Sequence, residues 1–285
     1  MSATILFTII TLCVIGVTAA IILYMTAQKF KVYEDPRIDQ VEEALPAANC
    51  GGCGYAGCRA FAEAIVREND LSDLFCPVGG NECMSGIAGI MGLEAAQSAP
   101  KIAVLRCAGS CSQRKKTNQY DGAKSCVVVS SLYAGETDCQ YGCLGLADCV
   151  DVCNFDALHM DPETDLPVVV EDNCVACGAC VTACPKDLFE LRKKMPKYRK
   201  VFVSCMNMDK GAAAKKACNV ACIGCGKCVK ECPFDAITMK NNLAYIDSDK
   251  CKLCRKCVTV CPTGAIIEEN FPPRKAKLET EKTAE

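Results

Sequence analysis

The feature that most constrains this 285-residue chain is a pair of cysteine runs near its C-terminal end. Both runs have the spacing Cys-x2-Cys-x2-Cys-x3-Cys-Pro, and they consist of Cys222, Cys225, Cys228 and Cys232, then Cys251, Cys254, Cys257 and Cys261. Thiolates at this spacing hold [4Fe-4S] clusters. The alternative is zinc, but structural zinc sites usually combine two short Cys-x2-4-Cys hooks rather than four closely spaced thiols followed by proline. The runs therefore predict two iron-sulfur clusters.

The same spacing predicts which thiols share a cluster. In bacterial two-cluster ferredoxins, the fourth cysteine of each run binds the cluster of the other run. One predicted set is Cys222, Cys225, Cys228 and Cys261, and the other is Cys251, Cys254, Cys257 and Cys232. Small units of this kind fold around their clusters, so we expect that loss of the metal means loss of the fold.

Cysteine usage also limits the compartment and the chemistry. The chain has 27 cysteines, most of them in metal-ligand spacings, which indicates a reducing compartment rather than a short secreted disulfide scaffold. Its one histidine, His159, is expected to be a surface or hydrogen-bonded residue rather than a ligand, so thiolates remain as the available soft ligands. The net charge of -2 gives no indication of nucleic-acid binding.

The N-terminal segment is apolar and long enough to cross a membrane. Residues 1–28 contain no charged side chain, and a hydrocarbon core requires about 20 apolar residues. A secretory signal peptide, the alternative, would need a basic start and a shorter apolar run. Because Lys29 and Lys31 follow directly, the remainder of the chain is predicted to be cytoplasmic.

A separate four-cysteine module follows the anchor. It contains Cys50, Cys53, Cys58 and Cys76, at the spacing Cys-x2-Cys-x4-Cys-x17-Cys. Four glycines between Cys50 and Cys58 allow the backbone to approach anionic sulfur closely. Helices are predicted at residues 38–45, 59–68 and 82–93. A further iron-sulfur cluster is predicted here, and zinc remains the alternative.

The order of these features resembles a known family. The apolar N-terminal span, the stretch ALPAANCGGCGYAGC with Cys76, and the tandem cysteine runs are together similar to the B subunit of the Rnf membrane complex. The resemblance implies a single-pass electron carrier in the bacterial inner membrane. Its complex would couple electron flow between soluble ferredoxin and NAD+ to Na+ or H+ transport, with flavin and nicotinamide sites in sister subunits. The alternative is a membrane-tethered polyferredoxin that serves an unrelated hydrogenase or dehydrogenase.

The middle of the chain contains a degenerate copy of the paired runs. Cys143, Cys149 and Cys153 align with the later run, but Leu146 stands where Cys225 would be. We expect Cys139 to replace the missing ligand, although a three-iron cluster is the other interpretation. The predicted sets are Cys139, Cys143, Cys149 and Cys184, and Cys174, Cys177, Cys180 and Cys153. With the other three sets, this predicts about five [4Fe-4S] clusters that pass single electrons.

Six further cysteines have no recognisable ligand spacing: Cys83, Cys107, Cys111, Cys126, Cys205 and Cys218. For Cys107, Cys111 and Cys126, structural thiols and ligands of an additional cluster both remain open. Residues 201–204 resemble residues 102–105, because each is an apolar run that leads to a cysteine. This predicts an internal duplication, in which Cys205 and Cys218 are counterparts of Cys107 and of Cys126 or Cys139.

A basic stretch at residues 186–200 suggests a docking surface. It contains Arg192, Lys193, Lys194, Lys197, Arg199 and Lys200. Positive charge would speed the encounter with an acidic partner such as soluble ferredoxin, whereas a solvated helix and loop is the alternative.

The predicted fold class is α+β, with one transmembrane helix, a small helical module and two tandem ferredoxin-like domains. The predicted boundaries are 1–28 (anchor), 29–37 (linker), 38–95 (module), 96–135 (connection), 136–195 (first domain), 196–217 (connection), 218–268 (second domain) and 269–285 (disordered tail). No Rossmann fingerprint, flavin motif or acid-base constellation is recognisable, so the chain is expected to act as a subunit of a ferredoxin:NAD+ oxidoreductase, without a substrate-transforming site, flavin or NAD of its own.

Overall fold

The computed structural model describes residues 2–29, 35–95, 97–133 and 135–273. Parts of the predicted linker (residues 30–34) and of the predicted tail (residues 274–285) lie outside this description. The first helix, α1, spans Ser2–Lys29. Among the described helices it is the one long and apolar enough to cross a membrane. Its large apolar side chains, including Phe7, Leu12 and Leu23, are exposed along its length, which is typical of a helix that faces lipid.

Three helices form a unit with its own apolar core. They are α2 (Pro36–Ala44), α3 (Cys58–Glu68) and α4 (Gly80–Met91), so the three helices predicted here are confirmed. The Asp35 side chain accepts a hydrogen bond from the backbone N–H of Arg37 and caps α2. Val41, Phe61, Ile65, Met84 and Ile87 are almost fully buried between the helices. This unit therefore buries enough apolar surface to fold around side chains as well as around a cluster.

The remainder of the described chain repeats one arrangement of strands. In the first repeat, β1 (Lys101–Leu105) pairs with β4 (Phe189–Lys193) and encloses the hairpin of β2 (Leu158–Asp161) and β3 (Leu166–Val169). In the second, β5 (Lys200–Val203) pairs with β8 (Ile266–Glu269) and encloses β6 (Ile237–Lys240) and β7 (Leu243–Ile246). All four pairs are antiparallel. The shared order supports the predicted internal duplication.

Short helices lie beside the cysteine runs. They are α6 (Asp148–Asp151) and α7 (Ala179–Ala183) in the first repeat, and α9 (Lys227–Glu231) and α10 (Lys256–Val260) in the second. Two more helices, α5 (Cys126–Leu132) and α8 (Gly211–Ala217), precede the first cysteine run of each repeat.

The two repeats pack against each other through their first strands. Ile102 and Val104 of β1 form a buried cluster with Phe202 of β5. Backbone hydrogen bonds also cross between the repeats, from Ala108 N–H to the Ser204 carbonyl (3.1 Å) and from Asn219 N–H to the Gln113 carbonyl (3.0 Å). The cysteines that directly follow β1 and β5 are consequently brought close to this contact.

Candidate iron-sulfur centres

The first run of the second repeat surrounds a cavity together with a cysteine from the second run. The cysteines that line this cavity are Cys222, Cys225, Cys228 and Cys261. Gly224 has a left-handed φ of +67°, and a Cβ at this position would lie 2.7 Å from the Asn242 carbonyl oxygen. Glycine thus lets the loop turn tightly beside the thiols. The geometry brings Cys261 to the three thiols that the spacing rule predicted.

The remaining thiols of this repeat form a neighbouring group. Burial, followed by the thiolate charges of Cys251, Cys254, Cys228 and Cys232, raises the pKa of Cys257 to about 12. Such a thiol stays protonated at neutral pH unless a metal binds the thiolate, so metal binding here releases protons. Because Cys228 belongs to the first group, the two groups lie side by side.

The intact run of the first repeat is arranged in the same way. Burial and then the charges of Cys174, Cys177, Cys149 and Cys153 raise the pKa of Cys180 to about 12. Cys153 of the degenerate run therefore lies near Cys180, as does Cys149, and its place in this set stays a prediction. The backbone N–H of Ala103 on β1 donates to the Cys174 sulfur at 3.5 Å. Such N–H···S bonds are one of the ways in which a protein sets the potential of a cluster.

The degenerate run gains its fourth thiol from an unexpected part of the chain. One cavity is lined by four cysteines, Cys126, Cys143, Cys149 and Cys184. Cys139, which spacing predicted for this set, instead lines a different cavity. The structure therefore does not bring Cys139 together with the other three and places Cys126 there instead. The reason is tertiary: α5 carries Cys126 to the site from outside the run.

Asp148 holds Cys126 in position. Its carboxylate accepts hydrogen bonds from the Ser125 hydroxyl (2.9 Å), the Cys126 N–H (2.8 Å) and the Val127 N–H (3.1 Å). One side chain at the start of α6 thus caps α5 and fixes it next to Cys149. Sequence reasoning missed this contact, because its partners lie more than 20 residues apart.

We expect Asp148→Ala to weaken the metal site that contains Cys126. Loss of a cap of this type costs about 1 kcal/mol, which corresponds to roughly a fivefold change in an equilibrium. Iron should then leave this site about fivefold faster when a chelator is added anaerobically. Asp151→Ala is the matched control, since Asp151 is exposed on the same helix. Equal release rates for both variants would contradict a positioning role.

The cysteines of the N-terminal module also converge. Burial is the main cause of the raised pKa of Cys76, and the charges of Cys53 and Cys50 add to it. The Gly79 N–H donates to the Cys76 sulfur at 3.3 Å. Cys58 lies at the start of α3, where its N–H donates to the Asn49 side chain at 2.8 Å.

Cys83 is a neighbour of this group with a different role. Its thiol donates to the Ala44 carbonyl at 3.2 Å, and burial raises its pKa to about 11. A protonated thiol that is engaged as a donor fits a structural cysteine that joins α4 to the end of α2.

The module also contacts the first repeat. A Cβ on Gly52 would lie 2.7 Å from the Cys177 carbonyl oxygen, so the glycine loop packs directly on the loop that carries Cys177. Burial is the main cause of the raised pKa of Cys177, and Cys50 is close enough to contribute to it. Two thiol groups from different units are therefore neighbours.

The basic stretch is only partly available to a partner. Arg192 is 5% exposed, forms an ion pair with Glu190 at 3.2 Å and donates to the Ile246 carbonyl. Lys200 is paired with Glu171 and with Glu269. The prediction that Arg192 and Lys200 belong to a docking surface is therefore wrong. Both side chains form ion pairs within the chain, because the strands on which they lie face the contact between the repeats. Exposed side chains remain at Lys193 and Lys197.

In the described ranges, no three His, Cys, Asp or Glu side chains are grouped as the ligands of one metal ion. Sets of four cysteines line three separate cavities. This donor set and the surrounding N–H groups fit iron-sulfur clusters. His159 is exposed on β2, as expected.

The fold and the thiol groups define a multi-cluster iron-sulfur protein with an apolar N-terminal helix. Residues 138–188 and 221–265 match the family model described as a 4Fe-4S dicluster domain, and residues 45–77 match the one described as a putative Fe-S cluster.

Three relatives cover most of the chain. The B subunit of the Na(+)-translocating ferredoxin:NAD(+) oxidoreductase complex of Acetobacterium woodii is 46% identical over 84% of this chain and 70% of its own length. The proton-translocating counterpart of Clostridium ljungdahlii is 39% identical over 87% and 86% of the two chains. The B subunit of the ion-translocating oxidoreductase complex of Methanosarcina acetivorans is 41% identical over 88% and 93%. The chain belongs to the family of B subunits of Rnf-type ion-translocating oxidoreductase complexes.

Proposed function

We propose that this chain is the electron-transfer subunit of an Rnf-type complex. It exchanges electrons with soluble ferredoxin and passes them to other subunits, which couple ferredoxin:NAD+ electron transfer to Na+ or H+ translocation. The names of the relatives support this function, and so does the presence of two dicluster domains and an apolar helix in one chain.

The observation that carries the proposal is the crossing of Cys261 into the cavity of Cys222, Cys225 and Cys228. This arrangement places two cluster sites next to each other in one repeat. Each [4Fe-4S] cluster exchanges single electrons when bound. The contribution of the chain is to hold the sites close together, bury them and donate N–H groups to sulfur. Neighbouring sites then form a path along which electrons move.

The proposed ligand sets follow the geometry rather than the spacing alone. Five sets are proposed: Cys50, Cys53, Cys58 and Cys76; Cys153, Cys174, Cys177 and Cys180; Cys126, Cys143, Cys149 and Cys184; Cys222, Cys225, Cys228 and Cys261; and Cys232, Cys251, Cys254 and Cys257. Helix α1 anchors these sites as a single-pass span, and the charges that follow it support a cytoplasmic position at the bacterial inner membrane.

The test is direct reduction of the protein by its proposed donor. Anaerobically purified full-length protein in detergent is mixed with reduced soluble ferredoxin, and the visible absorbance of the clusters is followed by stopped flow. We expect second-order reduction that slows as salt is added, since charge steers the encounter. Absence of reduction in a cluster-loaded protein would overturn the proposed function.

The same assay tests the docking surface. Lys193→Glu with Lys197→Glu should lower the second-order rate constant about tenfold and weaken its salt dependence, because charge reversal removes the electrostatic steering. Lys215→Glu with Lys216→Glu on α8 is the control, with the same change in net charge at another exposed place. Equal effects of the two pairs would show that only the overall charge matters.

A further inference from the structure

Four cysteines that belong to none of the five proposed sets surround one cavity. This cavity is lined by Cys107, Cys139, Cys205 and Cys218. All four thiols are buried, with exposures of 6% to 9%. The cavity of the regular run is likewise lined by four cysteines, Cys222, Cys225, Cys228 and Cys261. The same number of thiol donors therefore surrounds a cavity at a site with a recognised ligand run.

The four thiols come in equivalent pairs from the two repeats. Cys107 follows the end of β1 by two residues, and Cys205 follows the end of β5 by two residues. Cys139 and Cys218 each stand four residues before the first cysteine of a run, at Cys143 and Cys222. Each repeat thus supplies two thiols at matching positions, and the packing of β1 against β5 brings the pairs together.

Hydrogen-bond donors are directed at these sulfur atoms. The backbone N–H groups of Asn207 and Cys222 donate to the Cys205 sulfur at 3.4 and 3.3 Å. The Asn207 side-chain amide points to the Cys139 sulfur at 3.8 Å. Asn207 is only 1% exposed, so this amide is buried, and the Cys139 sulfur is its hydrogen-bond acceptor.

A buried positive charge also lines the cavity. Arg114 is 7% exposed, and its Nε has no hydrogen-bond partner. In the part of the chain that the structure describes, no carboxylate pairs with this guanidinium; its Nη1 donates to the Cys143 carbonyl at 2.7 Å. An uncompensated buried cation is strongly unfavourable. Four thiolates around an iron-sulfur cluster carry net negative charge, which would offset that cost.

The position of the cavity completes a path between the repeats. On one side, Cys143 packs against the buried Cys107, and Arg114 of the cavity wall donates to the Cys143 carbonyl at 2.7 Å. On the other side, the N–H of Cys222 contacts the Cys205 sulfur. The cavity therefore lies between the site of Cys143 in the first repeat and the site of Cys222 in the second.

We propose that Cys107, Cys139, Cys205 and Cys218 hold a sixth [4Fe-4S] cluster, which bridges the two ferredoxin-like repeats. Half of its ligands come from each repeat. It carries single electrons between the site of Cys143 and the site of Cys222. The proposal rests on the ligand sets given above for the other five clusters, but it does not depend on the identity of the electron donor.

The test is metal content of the anaerobically purified full-length protein. Six four-iron clusters predict about 24 irons per chain, and five predict about 20. Cys218→Ala should remove about four irons. Cys205→Ala combined with Cys218→Ala should remove no more than the single variant, because both thiols bind the same cluster. Cys111→Ala is the control, since Cys111 is exposed and its thiol donates to the Glu163 carbonyl.

Unchanged iron in Cys218→Ala would overturn the proposal, and so would loss of one zinc per chain instead of iron. A content of about 20 irons per chain in the unsubstituted protein would overturn the proposal even if the cysteine variants fail to fold. Arg114→Gln gives an additional measurement: one of six centres should shift to a lower reduction potential, because a nearby positive charge is lost. Failure of ferredoxin to reduce a protein with about 24 irons would count against the proposed function and leave the bridging cluster intact.

Discussion

Cys126→Ala and Cys184→Ala are expected to remove the same cluster. Both thiols line the cavity that also contains Cys143 and Cys149. Loss of either ligand should already release the whole cluster. The double variant should therefore lose about as much iron as each single variant, roughly four irons per chain. Iron analysis and anaerobic EPR measure the loss.

The pair of Cys139→Ala and Cys184→Ala is the matched comparison. Cys139 lies in the cavity between the repeats, so its loss should add to that of Cys184, and the double variant should lack roughly eight irons. The spacing of the degenerate run predicts the opposite pattern, with Cys139 and Cys184 on one cluster. Additive loss for Cys126 with Cys184, together with non-additive loss for Cys139 with Cys184, would restore that interpretation.

Removal of iron is expected to unfold the two repeats and to spare the N-terminal helical unit. The buried apolar clusters of the first repeat are small and include cysteines, and the buried cluster of the second repeat includes Cys205, Cys218, Cys228 and Cys257. By contrast, α2, α3 and α4 enclose Phe61, Ile65, Met84 and Ile87. Structural metal sites can supply about 10 kcal/mol of folding free energy. Amide exchange in β1 to β8 should accelerate by at least about two orders of magnitude after anaerobic chelation, since exchange reports local unfolding.

The helical unit provides the internal control for this experiment. Exchange of the α3 amides, read in the same sample, should change far less than exchange of the strand amides. Reducing agent is kept throughout, so that disulfide formation does not substitute for metal. Strands that stay protected in the iron-free protein would contradict the dependence of the repeats on their clusters.

Sequence alone was sufficient where the ligands follow a regular run. The regular runs predict the set of Cys222, Cys225, Cys228 and Cys261, because the crossing of the fourth cysteine is a property of the run itself. The helices of the module follow from local signals such as the cap at Asp35 and the apolar spacing that buries Val41. The duplication was visible in the apolar runs that precede Cys107 and Cys205.

Such local patterns do not predict contacts between residues that are distant in the sequence. Cys126 joins its site through a helix and through Asp148, and the helix lies outside the run. Arg192 counts as one more basic residue in the sequence, yet Phe202 and Tyr245 of the second repeat lie over its guanidinium. In both cases the deciding partner is distant in sequence, so spacing and charge counts carry no information about it.

The shared cavity between the repeats also sets an order of assembly. Cys107 and Cys139 emerge from the ribosome before Cys205 and Cys218, and no complete four-thiol site exists there until the second repeat has folded onto the first. Iron-sulfur insertion at the bridge must therefore come after synthesis of both repeats. A chain that is truncated in its second half would present only the Cys107 and Cys139 thiols at this position. The absence of the other two thiols would distinguish such an immature subunit from a mature one.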